Sequence, residues 1–456
     1  MPSYNKFKQR TLLLGDFVSI VLSFYLTFLV RTGAVVHTER RLYKMLFSAG
    51  VYVVFFYIFD LYNLTSRIKS TAYLARYLLT VVSATALVTI VYYLVPSLEL
   101  WRGLFLLNAL VIVCVTYLWH LLFFFLFERF APPKNIVIIG SGPSGQELCA
   151  VLEQNGADFK VVGYLDDRPE LQRQRIGTAT VIGTSAALAG LVERKEIDAA
   201  VLAVTHEKSR DLLKAVIHAK MKGVAVTDMP TLYEELTGKL PLDHMDPDWI
   251  AHTSLKGVTK SLYTLHVKKV IDTALSLAGL VATFPVTALV AIAIKLDSPG
   301  PILYRHNRVG HNECVFELLK FRSMSVDAEP QGAVWALEDD PRVTRVGRFI
   351  RKTRIDEIPQ MWNVLRGEMS FLGPRPERPE FVEELKNAIP YYSFRHSIKP
   401  GITGWAQVKY AYGASNTDAF EKLQYDLYYL KNLSVILDFQ ILLRTIRVVL
   451  FGEGAR

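Results

Sequence analysis

Asn135-Ile-Val-Ile-Ile-Gly-Ser-Gly-Pro-Ser-Gly-Gln146 is the stretch from which the rest of the chain can be read. A β-branched run leads into Gly140, Gly142 and Gly145 at GxGxxG spacing, and a helix follows from about Gln146. Strand, glycine turn and helix come in the order that lets a phosphate approach a helix N-terminus. A second strand-like run, Lys160–Leu165, ends at Asp166-Asp167, where a ribose-binding acid would stand. Two further runs, Ala199–Val204 and Gly223–Thr227, flank a helix over Arg210–Lys222. The pattern predicts an α/β Rossmann-like domain over 134–230. Gly140, Gly142, Gly145 and Asp166 are its candidate nucleotide contacts. The alternative is the same scaffold with no bound dinucleotide.

On the N-terminal side lie four apolar runs, Leu12–Val30, Met45–Leu61, Tyr73–Val95 and Leu104–Phe127. Each reaches or approaches the roughly 20 residues needed to cross a bilayer, and none shows a polar face at helical spacing. Residues 1–130 are therefore expected to form four transmembrane helices. Asp16, one turn inside the first run, reads as an interfacial carboxylate. The first run has no small-residue cleavage site and another run follows, which argues against a cleavable signal. An even number of spans puts both flanks on one side. Lys and Arg near the membrane then divide eight to five in favour of an inside N-terminus, with the Arg31–Lys44 loop as an exception.

Composition agrees with a membrane partner. The hydrophobic fraction of 51% excludes a disordered chain, and 3 cysteines are too few for a disulfide framework. A net charge of +9 admits nucleic acid or an anionic membrane surface. The basic residues cluster beside apolar segments and acids, so no nucleic acid is expected.

On the C-terminal side, 231–263 reads as a linker rich in Pro, Gly and Asp. An apolar run, Ala274–Ile294, follows between Lys268-Lys269 and Lys295, with Pro285 at its middle. A plain fifth span would carry the rest of the chain across the bilayer. A helix broken at Phe284-Pro285 would dip in and return, satisfying its freed backbone groups internally. The pattern alone favours the span.

The unusual chemistry lies beyond Ser298. Arg342, Arg345, Arg348, Arg351, Lys352 and Arg354 form a cationic run without an acid. It suits either anionic headgroups or a phosphate. Asp356-Glu357 follows at once, and neighbouring cations should keep both ionised. An ionised Asp can attack phosphorus, and a neighbouring Glu can hold Mg²⁺ together with substrate phosphates. A helix start is the plain alternative. Lys320-Phe-Arg322-Ser-Met and the rigid turn Gly373-Pro-Arg375-Pro376-Glu377 are also suited to phosphate.

Taken together, Lys320–Met324, Arg354-Ile-Asp-Glu-Ile-Pro-Gln360, Trp362-Asn363, Gly367–Ser370, Gly373–Glu377 and Lys399-Pro-Gly-Ile-Thr-Gly-Trp-Ala-Gln407 resemble the bacterial sugar transferases. These are monotopic polyprenyl-phosphate hexose-1-phosphate transferases. The resemblance runs from Leu265 to the C-terminus. The four-helix front and the middle domain, with Leu232–Pro241, are similar to the long form of the family. Tyr410–Ser415 and Gly452–Arg456 are similar to its exopolysaccharide subgroup.

The resemblance implies a mainly α catalytic domain over 264–456 with a re-entrant membrane helix at about 268–296, broken at Pro285. That reverses the preference for a plain span. It implies Asp356 as nucleophile toward a UDP-sugar, with release of UMP and a covalent phosphosugar aspartate. Polyprenyl (undecaprenyl) phosphate would take up the sugar phosphate, the initiating step of exopolysaccharide synthesis. Asp356 and Glu357 would hold Mg²⁺. Lys320, Arg322, Arg354, Gln360, Arg375, Pro376 and Glu377 would contact substrate. The expected location is the bacterial inner membrane, with the site facing the cytoplasm and the lipid bilayer as a partner. For the middle domain, nucleotide binding, regulation and mediation of a homodimer all stay open.

A nucleotide-sugar dehydratase or epimerase shares such a front, but needs a second glycine fingerprint and a Tyr-x-x-x-Lys pair after residue 260, and neither is present. A nucleotide-gated channel or sensor leaves Asp356-Glu357 and Gly373–Glu377 unexplained.

Overall fold

The computed structural model describes residues 2–32, 39–62, 68, 70–95, 105–130, 133–154, 158–204, 209–245, 253–259, 261–325, 342–410, 413 and 415–451. The Arg31–Lys44 loop and Tyr410–Ser415 lie only partly within them, and Arg102 and Gly452–Arg456 lie outside. The chain divides into two compact units, Met1–Thr237 and Gly238–Arg456.

The four apolar runs of the first unit are helices: α1 (Pro2–Thr32), α2 (Glu39–Ile58), α3 (Thr71–Leu94) and α4 (Phe105–Phe130). Phe7–Val30, Thr71–Leu94 and Leu107–Phe127 are long and apolar enough to cross a membrane, and Leu42–Ile58 is a shorter apolar helix. Their inner faces bury Leu12, Ile20, Phe56, Tyr77, Ala84 and Ile112, while Leu14, Val18, Val82, Leu110 and Leu118 face outward. That leaves an apolar exterior suited to lipid.

Several polar side chains inside this bundle are paired. Asn108 donates to Thr27 at 3.0 Å, and the Tyr52 and Thr85 hydroxyls meet at 2.8 Å. Asp16 is not the interfacial group its position suggested. It is fully buried, with His120 Nε2 at 2.9 and 3.0 Å from its two oxygens, and His120 Nδ1 meets the Tyr73 hydroxyl at 2.6 Å. One neutral tautomer, protonated at Nε2, satisfies both partners. A carboxylate one turn inside an apolar helix has no water to turn to, so it binds helices α1, α3 and α4 together instead.

The sheet that follows has the order β3-β4-β2-β1-β5-β6. Its strands are β1 (Lys134–Ile139), β2 (Phe159–Leu165), β3 (Arg175–Ile176), β4 (Ala179–Gly183), β5 (Ala199–Leu202) and β6 (Ala225–Asp228). All pairs are parallel except the β3–β4 hairpin. This doubly wound sheet is the expected α/β architecture. Alternation along β1 sends Ile136 and Ile138 to one face, with Leu148 and Leu152 of α5 (Pro143–Gln154). Val137 and Ile139 go to the other, with Leu188 of α6 (Ala187–Glu193) and Leu212 and Val216 of α7 (Arg210–Met221).

The stretch read as a linker begins as a helix, α8 (Met229–Thr237), with Met229, Leu232 and Tyr233 buried against the sheet. Those residues recur at helical spacing, a signal hidden by the surrounding Pro and Gly. Leu240 and Leu242 are likewise buried, in the core of the second unit beside Leu423 and Leu427.

The second unit is mainly helical. Its first long element is the helix Lys268–Asp297, and Tyr263–Asp297 as a whole is long and apolar enough to cross a membrane. Pro285 lies inside this helix and does not end it. The Thr283 and Thr287 hydroxyls on either side of it donate to the Gly279 and Phe284 carbonyls of the same helix at 2.7 and 2.9 Å. A β-hairpin of β7 (Leu303–Val309) and β8 (Val315–Phe321) follows. Next come a short parallel pair, β9 (Ser370–Leu372) and β10 (Gly401–Thr403), and the helices Arg345–Lys352, Gln360–Leu365, Pro379–Ala388, Asn416–Asn432 and Val435–Phe451.

The β1–α5 turn tolerates side chains unevenly. A Cβ on Gly145 would lie 2.1 Å from the Gly140 carbonyl oxygen, whereas one on Gly142 would meet nothing within 4 Å. Gly145→Ala is expected to destabilise the protein by about 2 kcal/mol or more, and Gly142→Ala by about 0.5 kcal/mol at most. Thermal melts of the full-length variants check this. Equal losses would mean the turn is not packed as described.

Candidate active site

The cationic run forms a helix because Thr344 caps it, its hydroxyl accepting from the Gly347 amide at 2.9 Å. Ile350 is buried, while Arg345, Arg348 and Lys352 are exposed. Arg354 then adopts φ 55°, a left-handed conformation uncommon for a side-chain-bearing residue. The reversal sets Ile355–Glu357 in a single 3₁₀ turn and brings Asp356 in, 8% exposed.

Lys320 on β8 faces this turn. Its Nζ lies 3.1 Å from Glu357 Oε1 and 3.9 Å from Asp356 Oδ2. Asn363, fully buried, fixes that strand: its Oδ1 accepts from the Leu319 amide at 3.1 Å and its Nδ2 donates to the Glu317 carbonyl at 2.7 Å. Arg375 completes the cluster, with Nη2 at 2.6 Å from Glu357 Oε1.

The two carboxylates are thereby driven apart. Burial pushes the Asp356 carboxyl up, Lys320 and Arg375 pull against it, and the Glu357 charge adds to the rise. Burial also acts to raise Glu357, but Arg375 and Lys320 override it and hold that carboxyl well below the usual range, with Arg354 helping. The expectation that neighbouring cations depress both groups holds for Glu357 alone. Glu357 takes the close contacts, and Asp356 accepts no hydrogen bond among the described residues. Burial in turn pushes the Lys320 ammonium down.

The Gly373–Glu377 turn that carries Arg375 is held by its carbonyls. Pro374 O accepts from the Gly401 amide at 2.8 Å, Arg375 O from Arg395 Nη2 at 2.9 Å, Pro376 O from Arg308 Nη1 at 2.9 Å and Glu377 O from the Val309 amide at 2.9 Å. The Glu377 carboxylate pairs with Arg308 at 3.3 Å. Pro376 and Glu377, expected at the substrate, thus serve as anchors of the turn. The Lys399–Gln407 motif supplies the opposing strand. A Cβ on Gly401 or Gly404 would lie 2.1 Å from the Gly373 backbone, so glycine is required where β10 passes the turn.

Other expected residues fall elsewhere. Arg322 is 5% exposed and donates to the carbonyls of Ile294, Ser298 and Pro299 at 3.3, 2.6 and 2.8 Å. It caps the carbonyl end of Lys268–Asp297: β8 ends at Phe321, so Arg322 stands just beyond the strand and its guanidinium turns to that helix end rather than following Lys320. Gln360 is 2% exposed and does not present itself to solvent.

In the first unit, the glycine turn is formed but Asp166 is engaged. Its oxygens take the Ser141 amide and hydroxyl at 2.9 and 2.6 Å, the Arg168 amide at 3.1 Å, and Arg168 Nε and Nη2 at 2.9 and 2.8 Å. The Arg168 fork is the main cause of a carboxyl held far below its usual range. With both oxygens filled, Asp166 does not fit the role of a ribose acceptor.

Four residues absent from the sequence reading help build the site: His306, Arg308, Arg395 and Asp426. His306 and Arg308 share a face of β7 by their spacing of two, and that spacing was a usable signal. Arg308 Nε donates to His306 Nε2 at 2.7 Å. Burial and then the surrounding cations, Arg308 and Lys320 foremost, hold that imidazole neutral. Nothing local marks Arg395 or Asp426.

Residues 263–452 match the family described as bacterial sugar transferase, and 57–230 match one described as a CoA-binding domain. The UDP-N-acetylgalactosamine-undecaprenyl-phosphate N-acetylgalactosaminephosphotransferase of Aeromonas hydrophila is 42% identical over 233 residues, covering 51% of this chain and 54% of that one. The undecaprenyl-phosphate glucose phosphotransferase of Komagataeibacter xylinus is 34% identical over 331 residues, 71% of this chain and 60% of that one. The exopolysaccharide production protein PSS of Rhizobium leguminosarum bv. phaseoli is 38% identical over 191 residues, 40% of this chain and 94% of that protein. The chain thus spans between one-half and two-thirds of the first two relatives.

Arg322→Ala is expected to lower the unfolding free energy by about 3 kcal/mol, since it frees several buried carbonyls at once. Denaturant unfolding of the full chain measures it. An unchanged midpoint would remove Arg322 from the helix cap.

Proposed function

The chain belongs to the bacterial sugar transferase family, and from that premise we propose that it moves a hexose 1-phosphate from a UDP-sugar to undecaprenyl phosphate and releases UMP. The observation that carries the reading is the divided carboxylate pair. Glu357 is clamped by Lys320 and Arg375, while Asp356 beside it accepts no hydrogen bond among the described residues and has Lys320 no nearer than 3.9 Å.

In the proposed first step an Asp356 oxygen bonds the β-phosphorus and the bond from that phosphorus to the bridging oxygen breaks, so UMP leaves with the electron pair. In the second, a phosphate oxygen of the polyprenyl phosphate bonds the same phosphorus and the aspartyl–phosphorus bond breaks. The carboxylate returns and a polyprenyl-diphospho-sugar departs. Splitting one displacement into two is the advantage of a covalent intermediate. Arg375 and Lys320 stand where they can meet diphosphate charge, and a fixed guanidinium suits that task.

The donor set fits Mg²⁺. Among the described residues no cluster of three metal-ligating side chains exists, and Mg²⁺ commonly takes one or two carboxylates with substrate phosphates. Asp356 and Glu357 would hold it, and it would neutralise phosphate charge. The relatives' names include an N-acetylgalactosamine and a glucose phosphate transfer, so the sugar is left to a panel of UDP-sugars assayed for UMP. An initiating role in exopolysaccharide assembly is part of the same proposal, supported by the name of the Rhizobium relative.

We also place Lys268–Asp297 as a re-entrant element at the inner membrane, with the site facing the cytoplasm. Support comes from both of its ends being held by the same unit. Lys268 pairs with Asp438 at 2.9 Å and Asp272 accepts from the Phe371 amide at 2.9 Å, while Asp297 accepts from the Val346 amide at 3.1 Å. A straight helix of 30 residues would be about 45 Å long, longer than the roughly 30 Å hydrocarbon core. A plain span would leave one of these attachments on the far side. Its outward face, including Leu277, Val281, Phe284 and Leu289, is apolar and exposed, as lipid contact requires.

Incubation of the full chain with UDP-sugar labelled in the β-phosphate, with Mg²⁺, should leave label on the protein, and Asp356→Asn should not. Equal labelling of that variant would defeat the assignment. In a chain lacking its three native cysteines, Thr353→Cys should react with a membrane-impermeant reagent only in inside-out vesicles. Reaction in right-side-out cells would make Lys268–Asp297 a true span.

A further inference from the structure

The Pro-Arg-Pro turn owes its aim to a buried pair remote from it in sequence. Arg395 lies in the 3₁₀ turn Tyr392–Ser397 and is 6% exposed; Asp426 lies on the helix Asn416–Asn432 and is 2% exposed. Arg395 Nη2 is 2.8 Å from Asp426 Oδ2 and also donates to the Arg375 carbonyl at 2.9 Å. Its Nη1 donates to the Tyr392 hydroxyl at 2.5 Å, and its guanidinium lies 5.1 Å from that ring's centre.

We infer that Arg395, oriented by Asp426, is a positioning residue for the reaction: it fixes the Arg375 backbone so that the Arg375 side chain lands on Glu357. This rests on the reading of Asp356-Glu357 as the reacting centre.

The same residue, Arg375, is gripped from both directions. Arg395 takes its carbonyl, and Glu357 takes its guanidinium at 2.6 Å. Neither proline of the turn has an amide to anchor it; the Gly373 amide donates to the Thr403 carbonyl at 2.9 Å, and from Pro374 to Glu377 the anchors described are carbonyl acceptors. A buried ion pair is a poor choice for stability alone, because desolvation offsets its attraction and apolar side chains of similar volume hold a core as well. The cluster around it, with Leu423, Leu427 and Tyr392, is already apolar. What apolar side chains do not supply is a donor at one fixed point beneath Arg375. If that donor is lost, the guanidinium drifts from Glu357, and a misplacement of about 1 Å in a reacting site can cost about 100-fold in rate.

A pH dependence follows. Burial pushes the Asp426 carboxyl up to about 6 against the pull of Arg395; Glu377 adds to the rise and Lys422 opposes it, and Tyr392 and His396 also lie beside Arg395. Above that pH Asp426 is ionised and Arg395 is held. Below it the carboxyl takes a proton and Arg395 loses its ionic partner, so turnover falls on the acid side.

The test uses the full chain in nanodiscs with undecaprenyl phosphate, a UDP-sugar and Mg²⁺, reading UMP release for the parent, Asp426→Asn, Arg375→Ala and the double variant. Asp426→Asn is expected to lower kcat about 10–100-fold at pH 7.5, with KM for the UDP-sugar within about twofold, and to remove the acid limb near pH 6. In the Arg375→Ala background it should cost nothing more, because both substitutions break one chain of contacts. Losses that multiply independently, an unchanged kcat, or a rise in KM alone would overturn the inference. Should Asp426→Asn fold poorly, Arg395→Lys keeps the charge opposite Asp426 without the second N–H, and the same non-additivity with Arg375→Ala is required of it. A parent that releases no UMP from any UDP-sugar condemns the proposed reaction instead. The positioning role is then judged by ¹⁵N NMR of the Arg375 guanidinium, whose signals, restrained in the parent by the Glu357 contact, must become those of a freely rotating side chain in Asp426→Asn; unchanged signals overturn it.

Discussion

Four successive carbonyls, from Pro374 to Glu377, each accept a donor from outside their own turn: β10, the Tyr392–Ser397 turn, and β7 twice. The geometry of the carboxylate site depends on this constraint. Two prolines stiffen the turn but cannot donate, so after the Gly373 amide, which bonds the Thr403 carbonyl, its place is fixed from the carbonyl side. Arg375 emerges from the turn already aimed, and Glu357 receives it. The glycines at 401 and 404 exist because the strand that supplies one of these donors passes within a Cβ's reach of Gly373.

Electrostatics then does what sequence adjacency cannot. Asp356 and Glu357 are chemically alike and consecutive, yet one is clamped and the other is not. Lys320 and Arg375 converge on Glu357, while Asp356 keeps a distant cation at 3.9 Å. Burial disfavours charge on both, and only Glu357 has near enough cations to overcome it. The left-handed Arg354 is the backbone device that turns the two side chains to different surroundings.

Features legible in the sequence were those whose partners are sequence neighbours or whose periodicity repeats. The apolar runs became helices, the β1–α5 glycine turn took its expected form, and Asp356, Glu357, Lys320 and Arg375 came together. Arg322 misled because its motif sits two residues from Lys320, yet β8 ends between them at Phe321 and the chain beyond it turns the guanidinium to a helix end. Asp166 stood at the expected place, but its neighbour Arg168 fills it, and no spacing rule registers a competing donor. Asp16 looked interfacial because one turn of depth is read along a single helix, whereas its partner His120 is 104 residues away. Arg395 and Asp426 were invisible for the same reason: they matter through a carbonyl, and a carbonyl has no letter in the sequence.

The pairing of Asp16 with His120 and Tyr73 bears on how the bundle is made. Synthesis runs at about 5–20 residues per second, so about 5–20 s separate the emergence of Asp16 from that of His120. Through that interval α1 is an incomplete segment whose carboxyl has no permanent mate, and Tyr73 arrives before the imidazole that will join them. The three-way contact can therefore close only once α4, the last of the four helices, has been made.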